Sequence, residues 1–448
     1  MDADRIGLLG RDLGVFLGAF ADCFARSEGR DHLRRYVSGQ VSDLHRKSVE
    51  PMADRAGIPP RTLQDFLAFH TWDHQRAADR LQQIVVEEHF DEQAIGLIDE
   101  SSYAKRGDHT ACVQRQYCGA RGKIDNCVVS VALGYASLRG AFRCTLDHRP
   151  YLPKSWADDE PRRQKAGVPA ELVYEPKWKI ALRMLQRAQS NGVRLAWLTF
   201  DEWYGRNSGF LAELDAMGQT YVAEVPADFH GWLIEPRILR KEHHRPHRGG
   251  RRRRFPRLMR QSAAANRVDV LCRYSYPMRD QPWVDYHVKD SHKGPMVWQV
   301  KAAKFRISQR VDGAHHGQTL PSAPRWLIMA RHAITGEIKY FLSNAPPGVP
   351  LERIVHVAFS RWHIERGFQD EKDQLGLDHF ECRRYQAVQR HLILTALSHL
   401  FLNRTRLKLI DEGQVEGGKN PDRSTGATSH RCFDRSPDPF TRASTCVA

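Results

Sequence analysis

Two short apolar runs that each stop at an acid constrain this chain more than any other feature. AIGLI is followed by Asp99, and LAWLTF by Asp201. Apolar runs of this length read as strands buried within a sheet, and buried central strands need helices on both faces of that sheet. The sequence between and around them agrees. NCVVSVALGYAS and RGAFRCTLDH read as two more strands joined by a turn around Gly140. EPKWKIALRMLQRAQSNG carries Trp178, Ala181, Leu182 and Leu185 at helical spacing, and Gly192 closes it. GFLAELDAMG is a short helix and QTYVAEV a fifth strand.

Three strands, helix, strand, helix, strand is an α/β order with mixed pairing, the order of the ribonuclease-H-like fold. Its flanks differ. Residues 1–90 read as a helical N-terminal region, with Leu9, Leu13, Phe16, Leu17, Phe20 and Phe24 at helical spacing. Within it, two short helices around a Gly57–Pro60 turn, with Ala53, Ile58, Leu63, Phe66 and Leu67 inside, suit either a DNA-binding helix-turn-helix or a plain helical hairpin. The core is expected over 91–228 and again, as helices, over 349–408. Between these parts, 229–348 is expected to be a basic β-rich insertion, in which VDVLCRYSY, PWVDYHVKD, MVWQVKAAKF, RWLIMARHA and EIKYFLSNA alternate like antiparallel strands. The tail, 409–448, has no apolar period and is expected to be disordered or atypical.

Charge narrows the partner. Lys and Arg number 68 against 53 Asp and Glu, a net +15 over 448 residues. Such an excess favours a polyanion, with DNA first. No stretch approaches a membrane span, and nine cysteines without regular spacing suit a reducing cytoplasm. Lys105, Arg106, Arg115, Arg121 and Lys123, with Tyr117 among them, follow the first acid as a basic loop suited to DNA. The run that contains Arg252 and Arg253 is expected to meet phosphates, giving affinity without sequence information.

Asp99 and Asp201 each directly follow a buried strand, and those strands are expected to be neighbours. An isolated strand-end Asp is more often a turn or cap residue; two on adjacent strands suggest a shared cation. Glu100 and Glu202 are expected on the opposite side, by alternation. In FSRWHIERGFQDEKDQLGLDHFE, Arg361, Glu365, Phe368 and Lys372 share one helical face. Read alone, that face is equally a surface ladder or a third catalytic carboxylate. Asp370 and Glu371 point elsewhere and are poorer candidates.

These residues resemble a known family. The block beginning IDESSYAKRGDHTACVQRQYC, the block WLTFDEWYGRNSGFLAELDAMG and the block SRWHIERGFQDEKDQLGLDHFE resemble the three catalytic blocks of bacterial insertion-sequence transposases of the DDE type. The similarity runs from about residue 30 to 404. It is nearest the cut-and-paste group with a β-strand insertion and a Tyr–Arg–Glu–Lys signature. The resemblance implies a ribonuclease-H-like core with Asp99, Asp201 and Glu365 as catalytic triad and ligands of two Mg²⁺ (or Mn²⁺) ions. It implies cleavage at the ends of an insertion sequence and transfer of the freed 3′-OH to target DNA. Arg361 and Lys372 would hold phosphate oxygens, and Ala358 stands where the signature has Tyr. The implied partners are double-stranded DNA, as terminal inverted repeats and target, and a second copy of the chain as a homodimer on DNA; the implied location is the bacterial nucleoid. By the same resemblance an aromatic of the insertion, Trp298, would stack on an extruded base. A nuclease of the same fold without strand transfer, and a non-catalytic DNA-binding remnant, are the rival readings.

Overall fold

The computed structural model describes residues 3–240, 255–291, 294–310 and 319–413. Arg252, Arg253 and most of the tail lie outside the described residues. The chain opens with five helices: α1 (Ala3–Gly18), α2 (Ser27–Gln40), α3 (Val49–Arg55), α4 (Pro60–Ala68) and α5 (His74–His89). Gly57, at φ +63°, turns the chain between α3 and α4. Pro60 opens α4 where a backbone N–H has no partner to lose. Asp73 caps α5 by accepting the Arg76 N–H at 2.9 Å. Ala53, Leu63, Phe66 and Leu67 are buried as the pattern requires, with Ile58 partly so.

There follow β1 (Ile95–Ala104), β2 (Gln114–Cys118), β3 (Lys123–Ala136), β4 (Arg143–Pro150), α6 (Lys154–Ala157), α7 (Glu160–Ala166), α8 (Lys177–Ser190), β5 (Trp197–Phe200), α9 (Glu202–Gly205), α10 (Ser208–Ala216) and β6 (Tyr221–Val225). β5 lies between β1 and β6 and is parallel to both; β1 also pairs antiparallel with β3. The mixed α/β order expected from the sequence is therefore present. The segment after Asp99 contains a strand rather than only a loop, because β2 folds back on β3 as an antiparallel hairpin.

The next stretch holds β7 (His230–Trp232), β8 (Ile238–Leu239), β9 (Arg257–Leu258), β10 (Asn266–Arg267), α11 (Val268–Tyr274), α12 (Tyr276–Arg279), β11 (Val284–Ser291), β12 (Gly294–Arg310), β13 (Thr319–Pro321), β14 (Arg325–His332) and β15 (Ile338–Ser343). VDVLCRYSY, expected as a strand, forms α11 and the start of α12. The reason is spacing: Val268 and Cys272 are buried and Leu271 packs beside them, a helical repeat that outweighs the local alternation. The remaining strands continue the first sheet. β15 pairs antiparallel with β6, β14 with β15 and β12 with β14. Among the described residues thirteen strands join in this one sheet, and β8 and β9 form a separate pair.

Three helices complete the described residues: α13 (Leu351–Phe359), α14 (Trp362–Leu375) and α15 (Tyr385–Asp411). Alternation along β1 separates two cores. Ile98 points to the side of α5, α8 and α15, whereas Ile95 and Leu97 point to the side of α13 and α14. α15 is buried on nearly all sides over its first four turns. Its Arg390, 1% exposed, donates to the carbonyls of Phe66, Leu67 and Trp72 at 3.0–3.2 Å and lies over the Trp72 ring. The cation thus satisfies the C-terminal carbonyls of α4. On the next residue, His391 Nδ1 accepts from the Tyr36 hydroxyl of α2 at 2.7 Å. The N-terminal helices are held by polar contacts to α15. Among the described residues no helix is long and apolar enough to cross a membrane.

Replacing Arg390 with Met keeps its length but takes the guanidinium donors from the Leu67 and Trp72 carbonyls and leaves the Phe66 carbonyl with the Trp72 indole N–H alone. The expected loss of stability in urea unfolding is roughly 3–5 kcal/mol, and a loss below about 1 kcal/mol would mean that water replaces the guanidinium.

Candidate active site

Strand parity places the acids. On β1, Asp99 shares the face of Ile95 and Leu97, the face covered by α13 and α14. Ile98 stands opposite Phe200 in the parallel register of β1 and β5, so Asp99 and Asp201 leave adjacent strands at the same level. Asp201 continues the parity of Trp197, which belongs to the same core. On β6, Glu224 continues the parity of Val222, again on that face. Glu100 falls on the other side, where Lys177 of α8 pairs with it. Glu202 is exposed.

The acids gather around one cation. Arg361 Nη1 lies 2.7 Å from Asp99 Oδ2, and Nη2 lies 2.8 Å from Glu365 Oε1. Its Nε lies 3.9 Å from Glu224 Oε2, and Lys339 of β15 holds the other oxygen of Glu224 at 2.9 Å. Asp201 caps α9, its Oδ1 accepting the N–H groups of Trp203 and Tyr204 at 3.1 and 3.2 Å. Burial lifts the Asp99 carboxyl to about 7; Arg361 opposes this, while Asp201 and Glu365 add to it. Burial also raises Asp201, against the two backbone N–H groups and Arg361. Burial works against the charge of Arg361, but Asp99, Glu365, Glu224 and Asp201 together strengthen it.

The helix carrying Glu365 is fixed by residues that the sequence did not single out. Glu371, expected to point away from the Glu365 face and to be a poorer candidate for the third acid, is fully buried. Its Oε2 lies 3.1 Å from His148 Nε2 of β4, and its Oε1 lies 3.3 Å from His399 Nδ1 of α15. Burial alone would raise its carboxyl, yet His148 and His399 hold it well below the usual carboxylate range. One residue earlier, Asp370 pairs with Arg143 of β4 at 3.0 Å. Two neighbouring acids thus set the roll of α14, with Phe368 buried beneath and Glu365 half exposed at the rim. A histidine in the apolar strand FRCTLDH was the sequence signal for this partner.

The other candidates are dispersed. Lys372 lies two turns beyond Glu365 and, among the described residues, makes no ion pair. Arg115 and Lys123 are exposed on the β2–β3 hairpin, beside the exposed pair Tyr117 and Ile124. Lys105 turns inward instead, donating to the carbonyls of Asp378 and Phe380 at 3.1 and 2.5 Å over the Phe380 ring. Trp298, expected to be available to a base, is buried against Phe359 and His332. Its position inside the sheet, paired with both β11 and β14, removes it from any groove. Ala358 is buried, and Phe359 packs on Trp298 and Phe341.

Carboxylate oxygens are what hard divalent cations take, so the donor chemistry of Asp99, Asp201 and Glu365 fits such an ion. The placement is different: among the described residues no three His, Cys, Asp or Glu side chains are grouped to hold one. The guanidinium of Arg361 binds oxygens that an ion would need.

Residues 19–295, more than half of the chain, match the family described as DDE superfamily endonuclease, and the chain belongs to that family. The match ends before Glu365. Over 194 residues the chain is 28% identical to a probable transposase for insertion sequence element IS701 of Microchaete diplosiphon, a similarity covering 43% of this chain and 48% of that protein. The chain thus spans about half the length of the curated relative it matches.

The raised Asp99 carboxyl makes a signed prediction. Its value is about 7 when folded and 3.8 ordinarily, so the folded state binds more protons between these limits. The stability it contributes is full below about pH 4 and is lost as pH rises through 7. Without divalent ions, the melting temperature of Asp99→Asn should gain on wild type from pH 5 to 8; a constant difference would contradict the shift.

Proposed function

We propose that this chain is an insertion-sequence transposase that cleaves DNA at the element ends and joins the freed 3′-OH to target DNA. On this reading the first sheet and its helices are a ribonuclease-H-like core, and Asp99, Asp201 and Glu365 are its catalytic acids. The observation that carries the reading is one guanidinium within 2.8 Å of both Asp99 and Glu365, residues far apart in the chain, with Asp201 at the equivalent level of the next strand. A surface ladder would leave Glu365 remote from Asp99.

The three acids would hold Mg²⁺ or Mn²⁺, two ions in all, and such ions would supply activation of the attacking hydroxyl and stabilisation of the leaving oxygen. The residues do the rest. The cap on α9 aims Asp201, since one of its oxygens is committed to backbone N–H groups and the other stays available. β1 fixes Asp99, whose Oδ1 accepts the Glu100 N–H at 2.7 Å. Glu365 stands at the rim, where DNA would approach. Arg361 and Lys372 would take non-bridging phosphate oxygens. No covalent bond between protein and DNA is needed. Arg115 and Lys123 would hold backbone phosphates, while Tyr117 offers a stacking surface. Two element ends must be joined in one event, which is served by a homodimer on DNA.

The test uses the full chain with duplex carrying the element end. Asp99→Asn should reduce Mg²⁺- or Mn²⁺-dependent cleavage by roughly 10²–10³-fold or more, the scale of losing one charge-stabilising group in a shielded site. DNA binding should remain within a few-fold. Wild type that never cleaves would leave a DNA binder, and cleavage without joined product from pre-nicked ends would leave a nuclease.

For the hairpin, Arg115→Ala and Lys123→Ala should each weaken binding to any duplex and reduce the slope of log affinity against log salt by about 1. An unchanged slope in the double variant would place the DNA elsewhere.

A further inference from the structure

Glu224 belongs to no motif, yet it completes the surroundings of Arg361. Each nitrogen of that guanidinium faces a different carboxylate: Nη1 faces Asp99, Nη2 faces Glu365 and Nε faces Glu224. The first two contacts, at 2.7 and 2.8 Å, are direct, whereas the third is 3.9 Å and has room to close. Glu224 is itself 16% exposed and is tied by Lys339 at 2.9 Å, so it is a fixed anchor. Its backbone is fixed as well. A Cβ at Gly205, the end of α9, would stand 1.9 Å from the Glu224 carbonyl oxygen, so β6 is pressed against the turn that Asp201 caps. Four carboxylates meet two cations here, which leaves a formal excess of two negative charges for an arriving ion.

We propose that Arg361 is the resident cation of this acid cluster and that Glu224 is the positioning residue that receives it when a divalent ion arrives. This rests on the reading of Asp99, Asp201 and Glu365 as a cation site. A divalent ion and a guanidinium repel each other and compete for Asp99 Oδ2 and Glu365 Oε1, so both cannot keep those oxygens. Losing them, Arg361 closes its longer contact to Glu224. Its two freed terminal nitrogens then present a fork suited to a phosphate. Ion binding thereby converts an internal clasp into an anion receptor. Glu224 is not itself a ligand, because Lys339 holds one of its oxygens and Arg361, once it closes its contact, takes the other.

Calorimetric titration of the full chain with Mn²⁺ alone, without DNA, tests this in wild type, Arg361→Gln, Glu224→Gln and the double variant. Arg361→Gln should bind Mn²⁺ about fivefold more tightly or better, the lower end of ordinary coupling between sites, while its metal-free melting temperature falls. Arg361→Lys should restore that melting temperature and the weaker affinity. Glu224→Gln should weaken Mn²⁺ binding about threefold or more when Arg361 is present and have no effect in the Arg361→Gln background, because there is no guanidinium left to receive. Equal weakening in both backgrounds would make Glu224 a ligand and overturn the proposal, as would Arg361→Gln binding no more tightly than wild type. Mn²⁺ that binds wild type and Asp99→Asn alike, or binds neither, would instead remove the cation site and this proposal with it.

Discussion

The parallel placement of β5 between β1 and β6 is the constraint on which the candidate site depends. Parallel neighbours end at the same edge of a sheet, so acids that follow their apolar runs must assemble there. Here the register sets Ile98 against Phe200 and Phe200 against Ala223, which brings Asp99, Asp201 and Glu224 to one edge and parity turns them to one face. Nothing in the apolar core requires such crowding of like charge. Arg361 and Lys339 offset it, and both come from outside the three strands.

The second support is the roll of α14. Glu365 can meet Arg361, and through it face Asp99, only while Phe368 faces the sheet, and the buried contacts of Glu371 with His148 and His399 hold it so. A buried ionic group of this kind is costly to desolvate and adds little net stability, but it is intolerant of rotation. α15 extends the same logic to the other end of the molecule. Arg390 and His391, adjacent on one helix, bind α4 and α2 through hydrogen bonds with definite directions. Apolar contact alone would leave those helices free to slide.

Much of this was legible in the sequence. AIGLI and LAWLTF declared their strands, the periodicity of 177–190 its helix, and the resemblance of three separated blocks the acids to compare. The arginine four residues before Glu365 was visible as spacing, but its contact with Asp99 was not, because nothing local encodes a contact across so long a separation. Glu224 was invisible for another reason: QTYVAEV looks like any buried strand, and only its register with β5 gives the acid a neighbour. VDVLCRYSY misled because a few alternating residues fit both periods, and burial of Val268 and Cys272 decided for the helix. Trp298 and Lys105 misled because an aromatic or a basic residue in a basic segment carries no sign of which way it turns.

The continuity of the sheet through β6, β15, β14 and β12 has a mechanical consequence. Every ladder between Glu224 and the far strands is made of backbone hydrogen bonds, which resist shear far better than loop contacts do. A strand that bent under a bulky polymer along β12 would tug on β14, then on β15, and so on the lysine that steadies Glu224. The described part of that long crossing is thus joined by unbroken backbone ladders to the strand whose Lys339 stands beside the acids.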